Sequence, residues 1–227
     1  MQRHFDEELT LLNHEILRMG GLVEEAIGKA LKALVERDAT LAQTVIRSDD
    51  PINLLEVEIE ERALQLIALH QPAASDLRLL AMVLKINNDL ERMGDQAVNI
   101  AERTLELLKE PLLKPLIDIP RMAQLAQAMV KDSLDAFVRR DAQLARDVCR
   151  RDDEVDRLND QVFRELLTYM MGEPKTITRA VDLILVGRHL ERIADHATNI
   201  AEDVVYLVQG KTVKHHLEER QIHASTP

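Results

Sequence analysis

A segment of fourteen residues occurs twice in this chain and constrains the fold more than any other feature. Asp89–Glu102 reads DLERMGDQAVNIAE and His189–Glu202 reads HLERIADHATNIAE, with 9 of 14 positions identical at an offset of 100. Ordinary residue frequencies give about one identity in 14 by chance. Ala33–Ala42 and Ala136–Ala145 also match, at 7 of 10 positions with an offset of 103. The chain therefore contains an internal duplication.

The repeated segment has the pattern of a helix with one oxygen-bearing face. On a helical wheel four such side chains fall within about 80° of one another, and the apolar side chains lie opposite them. The four are Glu91, Asp95, Asn99 and Glu102. The second copy repeats them as Glu191, Asp195, Asn199 and Glu202. Because the apolar side should face a core, we expect these two acidic stripes to face outward.

Composition and periodicity predict an all-α protein. Aromatic residues are 2% of the 227 residues, with 7 Gly and 7 Pro, and helix-forming residues dominate. Each copy supplies three long helices, so we predict two tandem three-helix bundles, six long helices in all. The expected domains are 1–110 and 121–210. A linker at 111–120 joins them, and a mobile tail follows at 211–227.

Local signals place several helix ends. Asp38 is a predicted N-cap, and Asp50 is another, with Pro51 at the first helical position. Asp152-Asp153 falls opposite Asp49-Asp50 at the offset of 103 and is predicted to open a helix in the second copy. Gly20-Gly21 lies inside the long first helix, where we expect a close helix–helix crossing.

Several classes of protein are disfavoured. No run of 18 apolar residues exists and the start lacks a secretory apolar region, so a cytoplasmic protein without direct membrane insertion is expected. The net charge of −11 argues against binding to nucleic acid or to an anionic membrane. Cys149 is the single cysteine and is expected to be structural. A cation or a basic partner surface suits the charge.

The acidic stripes have two interpretations. Most charged helix faces are simply solvated. Other exposed positions, however, have diverged between the copies, as Glu36 and Arg139 show, whereas the stripes have not. Carboxylate and amide oxygens one turn apart can share a metal ion. We therefore predict metal ligands at Glu91, Asp95, Asn99, Glu191, Asp195 and Asn199, with Fe, Zn, Mn and Mg all open.

Further ligands must complete such a site. Aspartates near the helix turns are available, namely Asp38, Asp50, Asp141 and Asp153, and His189 and His196 flank the second stripe. A carboxylate metalloenzyme or metal store is the alternative. It would need an inward acidic face, and the Glu-x-x-His pattern of di-iron bundles is missing.

The doubled Leu-Glu-Arg-(Met/Ile)-(Gly/Ala)-Asp-x-Ala-x-Asn-Ile-Ala-Glu motif and the paired Arg-Asp-Ala-x-Leu-Ala segments closely resemble the PhoU family of phosphate-signalling proteins. The resemblance runs from Phe5 to Gly210, with the family's acidic motif at Glu91/Asp95 and Glu191/Asp195. Gly94 and Ala194 differ between the copies, as do Gln96 and His196.

The resemblance implies two three-helix bundles, with metal ions on the acidic motifs in some members. It also implies a cytoplasmic negative regulator of the phosphate-starvation response, not an enzyme. Such a protein links the ATP-binding subunit of the phosphate ABC transporter to a sensor histidine kinase. A homodimer is the expected oligomeric state.

Overall fold

The computed structural model describes residues 2–210, with side chains from Phe5 onward, and within that range it contains helices and no strand. The seven α-helices are α1 (Gln2–Glu36), α2 (Ala39–Arg47), α3 (Asp50–His70), α4 (Ala74–Leu107), α5 (Asp118–Arg139), α6 (Ala142–Gly172) and α7 (Ile177–Gln209). A single 3₁₀ turn, Pro174–Thr176, precedes α7. The prediction of an all-α fold with six long helices is confirmed, and the short helix α2 follows the predicted N-cap Asp38. The predicted tail at 211–227 lies outside the described residues.

The second copy differs from the first at its middle helix, and one prediction there was wrong. Asp152-Asp153 does not open a helix, because α6 runs unbroken from Ala142 to Gly172. In the first copy the chain is interrupted between α2 and α3, next to Pro51, which has no N–H to continue the helical hydrogen bonds. Glu154 stands at the corresponding position of the second copy and keeps its donor. The single helix α6 therefore replaces the pair α2 and α3.

Two predicted boundaries shift by a few residues. α3 begins at Asp50, so Asp49, not Asp50, occupies the N-cap position, and Pro51 is the second helical residue. α5 begins at Asp118, so the last three residues of the predicted linker are helical. Pro120 is tolerated there because the first turn of a helix has no internal partner for its N–H groups.

The two copies share a broad contact in addition to the connecting segment. α4 packs against α7, and α1 packs against α5. Gly20 of α1 lies at the second crossing, where an added Cβ atom would be 2.4 Å from Leu134 Cδ1 of α5. The close crossing expected at Gly20 is confirmed, whereas Gly21 has open space around it.

The α4–α7 contact, which we call the α4–α7 seam, is antiparallel and lined by polar pairs. Lys85 Nζ lies 3.0 Å from Asp203 Oδ1 near one end, and Arg103 Nη1 donates to Asp182 Oδ1 at 3.2 Å near the other. α3 lies on the outer side of α4 and α6 on the outer side of α7, which gives a row α3–α4–α7–α6. Because α1 and α5 contact each other, they lie on one side of this row. The opposite side is free for the acidic stripes.

No helix within residues 2–210 has a long enough apolar stretch to cross a membrane.

Candidate metal-binding acidic clusters

The acidic stripes lie on the open side of the α3–α4–α7–α6 row. The side chains of Glu91 and Asp95 are 24% and 40% exposed, so neither carboxylate is enclosed in the core. The corresponding Asp195 is exposed and Glu191 is partly buried. Apolar residues on the opposite side of the same helices are buried, as expected from the wheel. The stripes therefore present oxygen atoms to solvent at the edges of two helix–helix contacts.

An aspartate from the α2–α3 junction extends the first stripe. Asp49 Oδ1 lies 3.7 Å from where a Cβ atom on Gly94 would be, so the carboxylate sits against the backbone of α4. Asn53 Nδ2 donates to Asp49 Oδ2 at 2.7 Å. The other oxygen, Oδ1, is buried and accepts no hydrogen bond within the described residues. Asp49, Glu91 and Asp95 form what we call the first cluster.

The second cluster repeats this plan with more charge. It comprises Asp152, Asp156, Glu191 and Asp195, contributed by α6 and α7. Asp156 stands where the first copy has Asn53, which adds one carboxylate. Asn159 Nδ2 donates to Glu191 Oε2 at 2.9 Å.

Burial and mutual repulsion make these carboxylates hold protons more tightly than usual. Desolvation, followed by the charges of Asp195 and Asp156, raises the pKa of Asp152 to about 6. Desolvation, with Asp156 next, likewise raises the pKa of Asp195. The second cluster therefore favours any species that brings positive charge.

The pKa values of carboxylates in the first cluster are shifted in the same direction. The pKa of Glu91 is raised, first by desolvation and then by Asp95, and desolvation followed by Asp49 raises the pKa of Asp95. Arg92 offsets part of this effect. Its Nε lies 3.4 Å from Glu91 Oε2 and its Nη1 lies 3.7 Å from Asp95 Oδ2. The arginine is itself exposed, and Asp49 Oδ1 has no hydrogen-bond partner within the described residues, so Arg92 neutralises the cluster only in part.

The residue types in both clusters suit a hard or borderline cation. Carboxylate oxygens are the donors that Mg²⁺, Mn²⁺ and iron ions accept, and a buried oxygen without a hydrogen bond, such as Asp49 Oδ1 or Asp152 Oδ1, is a coordination position not used by the protein. As placed in residues 2–210, no three His, Cys, Asp or Glu side chains converge closely enough to hold an ion. Binding would require side-chain rotation, which the partly exposed stripe carboxylates can undergo.

Comparison with known proteins agrees with this arrangement. The model of the PhoU domain matches the chain twice, at residues 16–104 and 119–204. The chain belongs to the PhoU family. The two matches contain α4 and α7 almost completely, and with them both acidic stripes.

Individual members of the PhoU family are similar over nearly the whole chain. A phosphate-specific transport system accessory protein PhoU homolog from Aquifex aeolicus is 48% identical, covering 94% of this chain and 97% of that protein. The crystal structure of PhoU from Pseudomonas aeruginosa superposes with a TM-score of 0.89 at 44% identity, covering 91% of this chain and all of that one. The PhoU structure from Streptococcus pneumoniae gives 0.87 at 35% identity, over 92% and 99% of the two chains. These relatives are named as accessory or regulatory proteins, not enzymes.

The aspartates near the helix turns, which were predicted as additional ligands, are not members of either cluster. Asp38 and Asp141 cap α2 and α6, and each accepts two backbone N–H groups at 2.9 and 3.0 Å. Asp50 and Asp153 are exposed, whereas their neighbours Asp49 and Asp152 are partly buried, and the charge of Asp153 raises the pKa of Asp156. The sequence contained the necessary signal, since both aspartate pairs repeat at the offset of 103. Choosing between the two aspartates of each pair required knowing the position of each aspartate on its helix.

The histidines near the second stripe turn toward the other copy. His196 Nδ1 lies 2.8 Å from Asp89 Oδ1, and His189 Nδ1 lies 2.8 Å from Gln96 Oε1, both across the α4–α7 seam. Asn199 Nδ2 also donates to Asp89 Oδ1, at 3.4 Å. These contacts engage His189, His196 and the Nδ2 atom of Asn199 across the seam, and the charge of His196 still lowers the pKa of Asp195.

The two seam contacts are related by the internal duplication. Position 89 corresponds to 189 and position 96 to 196, so Asp89–His196 and Gln96–His189 are the same contact in opposite directions. In each contact a histidine ring nitrogen faces an oxygen atom, and the histidine stands at position 196 in one contact and at position 189 in the other.

Proposed function

We propose that this chain is a negative regulator of phosphate uptake and of the phosphate-starvation response when phosphate is plentiful. The observation that carries the proposal is its full-length similarity to phosphate-specific transport system accessory proteins, from A. aeolicus at 48% identity and P. aeruginosa at 44%. These alignments cover 94–95% of this chain, so the shared part includes both halves and both clusters.

The proposed mode of action is that of an adaptor. It would act at the cytoplasmic face of the membrane, between the ATP-binding subunit of the phosphate ABC transporter and a sensor histidine kinase. The outward position of the carboxylates supports an adaptor over a bundle metalloenzyme, since the latter would hold its metals inside a bundle. The homodimer that the family resemblance implies belongs to the same proposal.

Metal binding is the second part of the proposal. In the first half the ion would be held by Asp49, Glu91 and Asp95, with Asn99 in reach on the same helix face. In the second half Asp152, Asp156, Glu191 and Asp195 would hold it, with Asn199 on the corresponding face. Whether Fe, Zn, Mn or Mg binds, the cation would offset the mutual repulsion of carboxylates from two helices and so fix α3 against α4 and α6 against α7.

Deletion of the gene tests the regulatory role. We expect alkaline phosphatase to be expressed in phosphate-rich medium in the deletion strain and to be repressed again when the wild-type chain is supplied. Unchanged alkaline phosphatase in the deletion strain would contradict the role.

Elemental analysis tests metal binding separately. The purified protein should retain or take up a transition metal or Mg²⁺, and the double variant Asp95→Ala/Asp195→Ala should lose it. A wild-type protein that takes up none of these metals on titration would leave the clusters as a solvated or partner-binding surface.

A further inference from the structure

The outer face of α3 carries an apolar row that the fold does not cover. Leu54, Val57 and Leu64 are 63%, 47% and 50% exposed. They are spaced by three and seven residues and so lie on one side of the helix. The face of α3 that packs against α1 and α4 lies directly opposite and contains Ile52, Leu55, Ile59, Ala63 and Leu66. Leu54, Val57 and Leu64 form what we call the α3 outer row.

The duplication shows that the fold does not require these residues to be apolar. At the offset of 103 the positions of Leu54 and Val57 are occupied in α6 by Arg157 and Asp160. Both of those residues are exposed. Leu64 corresponds to Leu167, which is 37% exposed, so the apolar character peculiar to the first half lies at Leu54 and Val57. Exposed apolar side chains grouped on one face of a helix can form a binding surface.

The charge around the row restricts what can cover it. Glu58, Glu60 and Glu61 are all exposed on α3 and surround the row. The one arginine of α3, which contains no lysine, is Arg62, and it turns toward α1, where it lies 3.5 Å from Glu8 Oε2 and 3.0 Å from Glu15 Oε2. An occupant must bring apolar side chains in the centre and positive charge at the edges. A second copy docked through its own α3 would instead bring glutamates against glutamates.

We propose that the α3 outer row binds an amphipathic helix of a partner protein, with a row of aliphatic side chains flanked by Lys and Arg. The docking helix lays its apolar row along Leu54, Val57 and Leu64, and its cations face Glu58, Glu60 and Glu61. This surface is separate from the acidic clusters, so partner docking and metal binding use different residues. The inference rests on the proposed adaptor function, whose partners would supply the helix.

The duplication itself supplies the variants for a test. Leu54→Arg/Val57→Asp gives α3 the residues of the second copy, and Arg157→Ala/Asp160→Ala in α6 is the control, because it changes the corresponding exposed positions without adding large apolar side chains. Binding of the full-length chain is measured to the purified transporter ATP-binding subunit and to full-length sensor kinase in nanodiscs. We expect the α3 variant to bind one of them on the order of 100-fold more weakly, and the α6 variant to bind within about twofold of wild type. Circular dichroism checks the folding of each variant, and Leu64→Arg serves as an independent second variant.

A synthetic peptide tests the α3 outer row directly if neither partner protein binds. An 18-residue helical peptide with leucines at positions 1, 4, 8, 11 and 15 and flanking lysines is titrated by fluorescence anisotropy, with a peptide carrying glutamates in place of the lysines as control. Binding of the lysine peptide that is lost in the α3 variant supports the inference. If the wild-type chain binds the lysine peptide but neither partner protein, the adaptor proposal fails and the docking surface stands.

Three results would overturn the inference. The α3 variant binds partner and peptide as wild type does, which leaves the adaptor role without this surface. The wild-type chain binds neither the partners nor the peptide. Sedimentation velocity shows a wild-type dimer that the α3 variant converts to a monomer, in which case a second copy of the chain covers the row.

Discussion

Neutralising the most strongly perturbed carboxylate should stabilise the metal-free protein. Asp152 lies in the second cluster with one buried oxygen that accepts no hydrogen bond, and its pKa rises from 3.8 to about 6 through desolvation and the charges of Asp195 and Asp156. The substitution Asp152→Asn removes the ionised form while keeping nearly the same shape. The folded protein no longer has to hold that charge among other carboxylates.

The magnitude follows from the shift in pKa. A rise from 3.8 to about 6 corresponds to roughly 3 kcal/mol at about 1.4 kcal/mol per pH unit. Because Asp152 is only partly buried, solvent screening reduces the expected gain for Asp152→Asn to about 1–2 kcal/mol at pH 7.5.

The sign of the pH dependence is also fixed. A carboxyl whose folded-state pKa is raised contributes its full stability below the unfolded value of 3.8 and loses it as the pH rises through about 6. Wild-type protein should therefore lose stability relative to Asp152→Asn between about pH 4 and pH 6. Above pH 6.5 the difference should be constant.

Urea denaturation of metal-free protein measures this difference at pH 4, 5, 6 and 7.5. Asp6→Asn, at an exposed position at the start of α1, is the control and should change the free energy of unfolding by less than about 0.5 kcal/mol. The same Asp152→Asn protein should bind metal more weakly than wild type. A variant that is less stable than wild type at pH 7.5, or whose gain is the same at pH 4, would refute the account of this cluster.

Two further predictions concern the contacts between the copies. By thermal denaturation, Gly20→Ala should be about 1–3 kcal/mol less stable than Gly21→Ala. Both substitutions gain helix propensity, but only the first places a Cβ atom 2.4 Å from Leu134 Cδ1. Equal stabilities of the two variants would contradict the close crossing. Burial, with the charges of nearby arginines, lowers the pKa of His189 to about 4. NMR should therefore show that the His189 ring, which is paired with Gln96, is neutral above pH 5. A titration midpoint of His189 at or above pH 6 would contradict the buried contact.

Much of the fold could be predicted because the duplication tests each pattern twice. The wheel positions of Glu91 and Asp95, repeated 100 residues later, predicted both the outward face and the α4 and α7 helices that carry it. Low aromatic and glycine content favoured helix for the rest of the chain. The same duplication misled where the copies differ. It suggested a helix start at Asp152-Asp153, although the proline that interrupts the first copy has been replaced by Glu154.

The contribution of Asp49 and Asp152 could not be derived from one helix at a time. Each belongs to a different helix from the stripe that it joins, and a one-residue error at the start of α3 favoured Asp50 and Asp153 instead. Likewise, Asp89, Gln96, His189 and His196 were visible as differences between the repeats. Only the antiparallel packing of α4 on α7 shows that they are partners.

The central claim is that the two acidic stripes are needed for regulation and not only for solubility. The most direct test complements the deletion strain with Glu91→Gln/Asp95→Asn/Glu191→Gln/Asp195→Asn and measures alkaline phosphatase in phosphate-rich medium at matched protein levels. We predict that the wild-type chain restores repression and that the four-residue variant, folded and equally abundant, leaves the enzyme expressed. Full repression by that variant would contradict the claim.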